Sequence, residues 1–299
     1  MREVRRRRPG GRRDEVVLAW ALSAPVLAVL SLLVLYPLAR GLLMSFQALD
    51  YAQGATGRFV GWSNVMSVLT DPGTRDAALH TLGYVGCAVT LEIAGGLAAA
   101  LALNKPFRGR GLVVAALILP WALPSVVGGV LWSRMLNPDS GLLNSALVQL
   151  HLTDSYHVWF NSPVTAVALV SLVHAWNVLP LISLILLSGL QGIPPDLYAA
   201  ASVDGAGVVQ QFRRLTMPLL RPALAIALTA GMIAAAAIFD EIYVLNGAAL
   251  STRSVMMQVW LTTFRDLDFG RGTALANLLA AASAVVALVL VRTLRRRTA

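Results

Sequence analysis

The chain has 299 residues, of which 57% are hydrophobic and 13% are charged, with a formal net charge of +9. A soluble domain carries about 25% charged residues, so this composition excludes an ordinary water-soluble fold and favours one membrane domain. A single cysteine, Cys87, excludes an internal disulfide and a cysteine metal cluster. The arginines lie in blocks beside apolar stretches rather than among aromatic residues, which argues against a nucleic-acid partner.

Six apolar stretches are long enough to cross a hydrocarbon core of about 30 Å, which takes roughly 20 helical residues. They cover residues 16–46, 77–103, 112–136, 164–190, 219–245 and 273–291. The first follows a basic start that resembles a signal peptide, but its apolar run is too long for a signal core, so we expect it to be retained. The sequence predicts an all-α polytopic membrane protein with six transmembrane helices.

Two prolines interrupt the third stretch. Pro120 and Pro124 should distort the helix there, and the carbonyls that they free must be buried in protein or line a cavity. Gly128 and Gly129 follow them and permit a neighbouring helix to approach closely. The pattern fits the wall of a pathway and equally a purely structural kink.

Basic residues indicate the orientation, because loops rich in Lys and Arg stay in the cytoplasm. They concentrate in a tail at 1–15, in the loop after the second stretch, in the loop after the fourth stretch and in a tail at 292–299. The loop 137–161 contains no Lys or Arg, whereas the loop that holds Arg253, Arg265 and Arg271 fits less well. We therefore expect both termini in the cytoplasm, with a membrane domain at 16–291 between them.

The stretch "IPPDLYAAASVDGAGVVQQFRRLTMPLLRP" interrupts the apolar pattern at 193–222. The pattern predicts a helix over 197–203, an end at Asp204 and Gly205, and a second short helix over 208–215 that stops before Pro218. Helices of this length are marginal in water and need a surface to dock on. That surface is either the protein's own membrane helices or another protein.

Catalytic machinery is absent from the sequence patterns. A phosphate-binding loop needs glycines followed by Lys and then Ser or Thr, but the only lysine is Lys105, in "LNKPF". No Gly-x-Ser-x-Gly elbow occurs, and the four histidines do not follow a metal-binding spacing. We expect a protein that is not an enzyme and that binds no cofactor or metal itself.

The segment "AAASVDGAGVVQQFRRLTMPLLRP" resembles the EAA signature of ABC-importer permeases of the maltose-type carbohydrate uptake family. The matching positions are Ala200, Ala201, Asp204, Gly205, Ala206, Phe212, Pro218 and Pro222. Ala199 replaces the glutamate that leads the motif. Segments at 35–46, 59–65, 104–112, 119–144 and 238–249, such as "LYPLARGLLMSF" and "IFDEIYVLNGAA", are also similar to this family.

This resemblance implies the permease subunit of an ATP-driven importer that moves a carbohydrate across the plasma membrane of a bacterium. Its expected partners are a second homologous permease, two copies of an ATP-binding subunit that hold ATP and Mg, and an extracytoplasmic sugar-binding protein. The loop at about 193–218 would be the coupling helix that docks on the ATP-binding subunit. Its contact residues would be Tyr198, Ala199, Ala200, Ala201, Asp204, Gly205, Ala206, Phe212 and Pro218. Ala199 predicts a weaker or differently arranged contact.

Polar residues within spans are costly and mark candidate substrate contacts. A sugar pathway needs hydrogen-bonding groups beside aromatic faces, which is the mixture offered by Trp176, Asn177, Asp240, Tyr243 and Asn246. Asp240 and Glu241 have an alternative role, in which they are solvated at an outer mouth or tie helices together. His174 is expected to satisfy a neighbouring helix rather than to perform chemistry.

A stand-alone secondary transporter or channel for a small polar solute is the main alternative. It would be favoured by an inverted internal repeat and by several titratable groups deep in the bilayer. No clear repeat is visible, and Glu92 is the only deeply placed carboxylate that the sequence predicts.

Overall fold

The computed structural model describes residues 11–247 and 252–295. The basic residues at 1–10 and 296–299, and Ala248 and Ala249 of the last resembling segment, lie outside the described residues. The chain is largely helical, and its one described sheet is a hairpin. Its helices are α1 (Gly11–Leu30), α2 (Tyr36–Met44), α3 (Ser63–Thr70), α4 (Pro72–Asn104), α5 (Arg110–Ala122), α6 (Ser125–Met135), α7 (Leu142–Gln149), α8 (Pro163–Gln191), α9 (Pro195–Val203), α10 (Val208–Gln211), α11 (Met217–Ala236), α12 (Asp240–Asn246), α13 (Val255–Trp260) and α14 (Phe269–Arg295).

The apolar spans match the sequence prediction. Continuous helices long and apolar enough to cross a membrane are Glu15–Met44, Pro72–Asn104, Pro163–Gln191, Val208–Ala236 and Phe269–Thr293. The third predicted span is the pair α5 and α6, which is bent by 98°. With that pair counted as one span, the prediction of an all-α protein with six spans is confirmed, and so is the distortion at Pro120 and Pro124.

The packed centre of the molecule is formed by α4 and α8, with α11 lying against both. Lipid gives helices no hydrophobic reason to associate, so association depends on close packing, which small residues permit. A Cβ on Gly96 of α4 would come within 2.8 Å of Ile182 Cγ2 on α8. Two turns further along α8, a Cβ on Gly189 would collide with Ala223 of α11. These glycines set the distance between the three helices.

The fifth predicted span differs from the structure at both ends. It was expected to cover 219–245, but α11 ends at Ala236 and residues 237–239 are not helical before α12 begins. Ser254 Oγ donates a hydrogen bond of 2.6 Å to the carbonyl of Ile238. This bond supplies a partner for a carbonyl that the broken helix leaves without one.

At its other end, the expected stop before Pro218 is wrong. The segment Val208–Ala236 is continuous, because a turn of π-helix at Phe212–Thr216 joins α10 to α11. Proline lacks an N–H and crowds the preceding turn, and a π-helical turn provides the local adjustment that keeps the helix intact. The loop between α9 and α10 is therefore attached to one uninterrupted membrane helix.

A small polar layer lies at the opposite end of the bundle from α9. Strands β1 (Gln47–Asp50) and β2 (Ala55–Phe59) form an antiparallel hairpin with an irregularity between Ala48 and Leu49. Asn64 Nδ2 donates to the carbonyls of Ser45, at 3.0 Å, and Gln47, at 2.8 Å. Asp50 makes an isolated bridge to Asp268, just before α14.

Helix α1 buries nothing against the rest of the bundle. Every described side chain from 15 to 40 is exposed. Helix α1 continues into α2 as the single span Glu15–Met44. This span is attached to the bundle at the α2 end, where α2 packs on α14 and Asn277 Nδ2 donates to the carbonyl of Gly41 at 3.3 Å. The 30-residue span Glu15–Met44 thus buries no side chain against the bundle over most of its length.

Asp268 gives the polar layer a pH dependence. Burial raises its pKa above the ordinary 3.8, and Asp50 and Asp266 add to that rise, while the backbone N–H of Arg271 at 2.9 Å opposes it. The folded protein therefore holds this proton more tightly than the unfolded chain. The contribution of Asp268 to stability is present below pH 3.8 and is lost as the pH rises through the raised pKa.

We expect Asp268→Asn to unfold at a higher temperature than the wild type at pH 7, because the amide stays neutral and still caps α14. The difference should shrink as the pH is lowered towards 4. Thermal unfolding of the purified protein as a function of pH measures this, with the exposed Asp154→Asn as control. A wild type that matches Asp268→Asn at every pH would contradict the prediction.

Candidate functional site

A cavity of about 300 Å³ lies beside the break between α11 and α12. It is bounded by α6, α8, α12 and α13, and its walls include Ser125, His174, Asn177, Phe239, Asp240, Glu241 and Met256. A larger groove of about 690 Å³ between α8 and α11 has mainly apolar walls, with Ser188 as its one hydroxyl among the described residues. The smaller cavity is the candidate site, because it combines carboxylate, amide and hydroxyl groups with an aromatic ring.

Asp240 is placed by the two helix breaks. It is the first residue of α12, and its Oδ2 accepts a hydrogen bond of 2.8 Å from Ser125 Oγ, at the start of α6. Both residues are partly buried, and both follow an interruption of a membrane helix. The two interruptions therefore face each other across the cavity and are joined by this bond.

The side chain of Asn177 donates to a free backbone carbonyl at the break between α5 and α6. Its Nδ2 donates to the carbonyl of Pro120 at 2.8 Å and lies 3.5 Å from that of Leu123. The expectation that freed carbonyls there are buried in protein or line a cavity is confirmed for the carbonyl of Pro120, which Pro124 frees. The amide of Asn177 thus stabilises the 98° bend between α5 and α6 while facing the cavity.

Behind the cavity, one histidine joins two buried carboxylates. His174 Nδ1 is hydrogen-bonded to Glu241 Oε1 at 2.8 Å, and its Nε2 lies 3.7 Å from Glu92 Oε1. Glu92 is completely buried, Glu241 is 4% exposed and His174 is 6% exposed. We call these three residues the buried cluster. It connects α4, α8 and α12, and it shows His174 contacting neighbouring helices, as the sequence suggested.

Glu92 has room for its carboxylate because α11 carries a glycine, Gly231, opposite it. A Cβ on Gly231 of α11 would collide with Glu92 Oε2. Neither oxygen of Glu92 accepts a hydrogen bond from the described residues, so His174 is its nearest ionic partner there. Glu241 had been expected at an outer mouth or between helices, and the structure places it between helices.

The predicted pathway residues divide into two sets. Asn177 and Asp240 line the cavity, whereas the cavity walls in the described chain do not include Trp176, Tyr243 or Asn246. Trp176 contacts the ring of Trp132 edge-on at 5.9 Å and packs over Gly128. Tyr243 stacks on Phe239 at 5.7 Å, and Asn246 Nδ2 donates to Thr252 Oγ1 at 2.7 Å.

Sequence reasoning missed six residues of the cavity wall, among them Ser125, Phe239 and Met256. Ser125 directly follows Pro124, so the helix break was a usable signal for a side chain at a pathway wall. Phe239 looks like an ordinary apolar residue of the fifth predicted span, and Met256 lies between two predicted spans. Their position depends on the break at 237–239, which no proline or glycine announces.

The loop between α9 and α10 projects from the opposite end of the bundle. Gly205 has φ +79°, a conformation that glycine adopts without strain, and it ends α9. Val203 is 88% exposed and Val208 is 84% exposed on either side of it. Of the expected contact residues, Ala199, Ala200, Asp204 and Gly205 are exposed, while Tyr198, Ala201, Ala206, Phe212 and Pro218 are partly buried.

Few contacts fix this loop to the bundle. Tyr198 Oη lies 3.0 Å from Thr216 Oγ1, and Gln211 Nε2 donates to Ser202 Oγ at 3.0 Å and to the carbonyl of Ala206 at 2.9 Å. These bonds link α9 to α10 and to the helix that follows, yet α9 and α10 bury no residue. The bundle covers the loop only in part, around Tyr198, and leaves Val203 and Val208 exposed.

Comparisons with known proteins agree with this arrangement. The family described as "Binding-protein-dependent transport system inner membrane component" matches residues 93–299. The sulfoquinovosyl glycerol transport system permease protein SmoG of Agrobacterium fabrum is 34% identical over 94% of this chain and 91% of that protein. The trehalose/maltose transport system permease protein MalF of Thermococcus litoralis is 32% identical over 88% of this chain and 89% of that protein. The trehalose transport system permease protein SugA of Mycobacterium tuberculosis is 32% identical over 95% of this chain and 91% of that protein.

Solved structures share the fold. A bacterial ABC transporter involved in the import of the acidic polysaccharide alginate contains a chain that superposes with a TM-score of 0.82 at 20% identity. The match covers 96% of this chain and 98% of that chain. The alginate transporter in complex with its pentasaccharide-bound periplasmic protein gives a TM-score of 0.81 at 21% identity.

Removal of the imidazole from the buried cluster should destabilise the protein. His174→Leu leaves two buried carboxylates without their shared partner, which costs roughly 3–5 kcal/mol when a buried ion pair is broken in this way. Thermal unfolding of the purified protein should show the loss. His157→Leu is the matched control, because the His157 side chain is exposed and its ring lies 5.1 Å from that of Trp159, while its bonds to Asn144 are made by the backbone and persist in leucine. Equal stability of the two variants would contradict the role of the cluster.

Proposed function

The chain belongs to the family of binding-protein-dependent transport system inner membrane components, and on that premise we propose that it is the permease subunit of an ATP-driven carbohydrate importer. The observation that carries this proposal is the cavity at the two helix breaks. The relatives named for sulfoquinovosyl glycerol, trehalose and maltose support the substrate class. The stand-alone transporter or channel considered above is not proposed, because the family works with a separate binding protein.

The cavity suits a sugar because it presents hydrogen-bonding groups beside an apolar ring. Asp240 and Ser125 supply a carboxylate and a hydroxyl, and Asn177 supplies an amide. Phe239 supplies an aromatic face that covers the C–H side of a sugar ring. Asn177 and Asp240 are the proposed substrate contacts, with Trp176, Tyr243 and Asn246 around them rather than in the cavity wall.

Energy for transport comes from partner subunits that bind ATP and Mg. Their proposed docking site is the exposed loop from Tyr198 to Pro218, whose apolar tips Val203 and Val208 have no partner in the described bundle. The absent motif glutamate, replaced by Ala199, removes one polar contact from this site. A second permease subunit with a fuller motif compensates for that loss in a heteromeric complex.

Motion at the loop has a direct mechanical path to the cavity. The helix Val208–Ala236 is uninterrupted and begins three residues after Gly205. It ends at the break that precedes Asp240. When ATP binding draws the ATP-binding subunits together, displacement of the loop moves this helix as a rod and changes the cavity at its far end. Such coupling requires that the loop contact the two ATPase states differently.

The exposed first span, which begins with α1, is the observation that favours a second permease subunit. A membrane helix surrounded by lipid alone carries no penalty, yet every described side chain of this span from 15 to 40 is exposed, so none is buried against the bundle. A homologous subunit beside this chain supplies the missing surface. An extracytoplasmic sugar-binding protein and the orientation with both termini in the cytoplasm complete the proposed complex.

The loop conformation gives a test of docking. Gly205→Val places a β-branched residue at φ +79°, which costs about 1–2 kcal/mol of strain and distorts the exposed end of α9. Gly207→Val is the matched control, because Gly207 has φ −71° and its Cβ would meet nothing within 4 Å. We expect Gly205→Val to insert normally but to recover roughly fivefold to thirtyfold less ATP-binding subunit on co-purification.

Gly207→Val should recover the wild-type amount of that subunit. Equal co-purification of the two variants would contradict the assignment of this loop as the docking site.

Site-specific cross-linking tests the role of α1. A photoreactive phenylalanine derivative at Leu27, which is 43% exposed, should cross-link to the second permease when both are co-expressed with the ATP-binding subunit. The same derivative at Ile182, which is completely buried between α4 and α8, should give only intramolecular products. Mass spectrometry identifies the products, and intramolecular or lipid adducts alone at Leu27 would contradict the prediction.

A further inference from the structure

A continuous series of aromatic rings leads from the polar layer to the cavity. Tyr51 contacts Phe269 with ring centroids 5.5 Å apart, and Phe269 lies 6.2 Å from Phe264. Phe264 lies 6.4 Å from Trp260, which in turn lies 5.9 Å from Phe239 and 5.5 Å from Tyr243. We call Tyr51, Phe239, Tyr243, Trp260, Phe264 and Phe269 the aromatic track. Each step is within the 4.5–7 Å range of favourable ring contacts.

The local structure explains why the rings are aligned. Phe239 and Tyr243 are four residues apart across the start of α12, and Trp260 and Phe264 are four apart at the end of α13. Residues at this spacing lie on one face of a helix. Phe269 begins α14, and Tyr51 follows β1, so four separate elements contribute to one line of rings.

The track remains partly open instead of forming part of the packed core. Tyr51 is 57% exposed, Tyr243 50% and Phe264 60%. Phe239 and Trp260 also pack against the buried residues around Tyr84, which anchors the inner part of the track. Fixed rings with accessible faces are what a sliding or stacking ligand requires.

Polar groups run beside the outer rings. A second cavity of about 300 Å³ is lined by Asp50, Gln53, Gln258, Thr262, Asp268 and Arg271, together with their neighbours. Asp50 and Asp268 directly precede Tyr51 and Phe269 in the chain, and Gln258 and Thr262 are each two residues from Trp260, so the same elements carry the polar cavity and the outer rings. Hydrogen-bonding groups close to aromatic rings fit a carbohydrate, whereas an acyl chain has no use for the polar groups.

Building on the proposed carbohydrate importer, we propose that the aromatic track binds pyranose rings on their C–H faces and leads them from the polar layer to Asp240. The inner end supports this direction. Phe239 lies in the wall of the candidate cavity and directly precedes Asp240, so a sugar stacked there is within reach of that carboxylate. The outer end at Tyr51 and Phe269 is the entry.

The test uses the complete importer, with its binding protein, in proteoliposomes supplied with ATP. The probes are radiolabelled glucose, trehalose, maltose and maltotriose. Phe264→Leu is the main variant because Phe264 is largely exposed, and Phe264→Tyr restores an aromatic face. Trp62→Leu is the control, since Trp62 is 67% exposed and contacts Phe46 at 5.1 Å outside the track.

We expect Phe264→Leu to reduce sugar uptake roughly twofold to tenfold, the value of one aromatic contact. Phe264→Tyr and Trp62→Leu should stay near the wild-type rate, and all variants should yield the same amount of assembled complex. Wild-type uptake in Phe264→Leu would overturn the track. An equal loss in Phe264→Tyr, or loss of the complex, would assign Phe264 a packing role and also overturn it.

A different result would contradict the proposed function. If the wild-type importer takes up none of the four sugars, and labelled sulfoquinovosyl glycerol as a fifth probe is not taken up either, the carbohydrate assignment is contradicted, and the track that rests on it is contradicted as well. If the wild type transports a sugar and Phe264→Leu transports it equally well, only the track is wrong.

Discussion

The structure depends on one imidazole that lies between two carboxylates in an apolar interior. Charged groups are costly to bury unless they are paired, so α4, α8 and α12 are bound to the positions in which Glu92 and Glu241 meet His174. Glu241 is the neighbour of Asp240. The hydrogen bond between His174 and Glu241 that fastens α12 to α8 therefore also fixes the carboxylate that faces the cavity.

Near that fixed point, two helix interruptions are each stabilised by a side chain that donates to a free backbone carbonyl. Asn177 Nδ2 donates to the carbonyl of Pro120 at the bend between α5 and α6, and Ser254 Oγ donates to that of Ile238 at the end of α11. Irregular backbone within a membrane is tolerated only under such conditions. The cavity thus results from two breaks that are individually satisfied and that meet through Ser125 and Asp240.

The sequence predicted the spans, the distortion at Pro120 and the glycine joint at Gly205, because each has a local cause. The spans follow from the length of the apolar stretches, the distortion from the missing N–H of proline, and the joint from the positive φ of glycine, and each cause lies within the segment itself. It did not predict the break at 237–239, where "AAAAIFDE" contains good helix formers and no proline or glycine. That break is imposed by partners far along the chain, His174 and Ser254. In the same way, Pro218 indicated a helix end, but the π-helical turn before it preserved the helix.

The isolation of α1 has a consequence for how the complex is built. Because lipid solvates an apolar helix as well as another helix does, this span is stable in the bilayer before any companion arrives. Insertion of this span and its association with another subunit are then separate events, and the span remains tied to its own bundle at one end, where Asn277 Nδ2 donates to the carbonyl of Gly41. A helix that needs no companion for its own stability is free to select its packing partner after insertion.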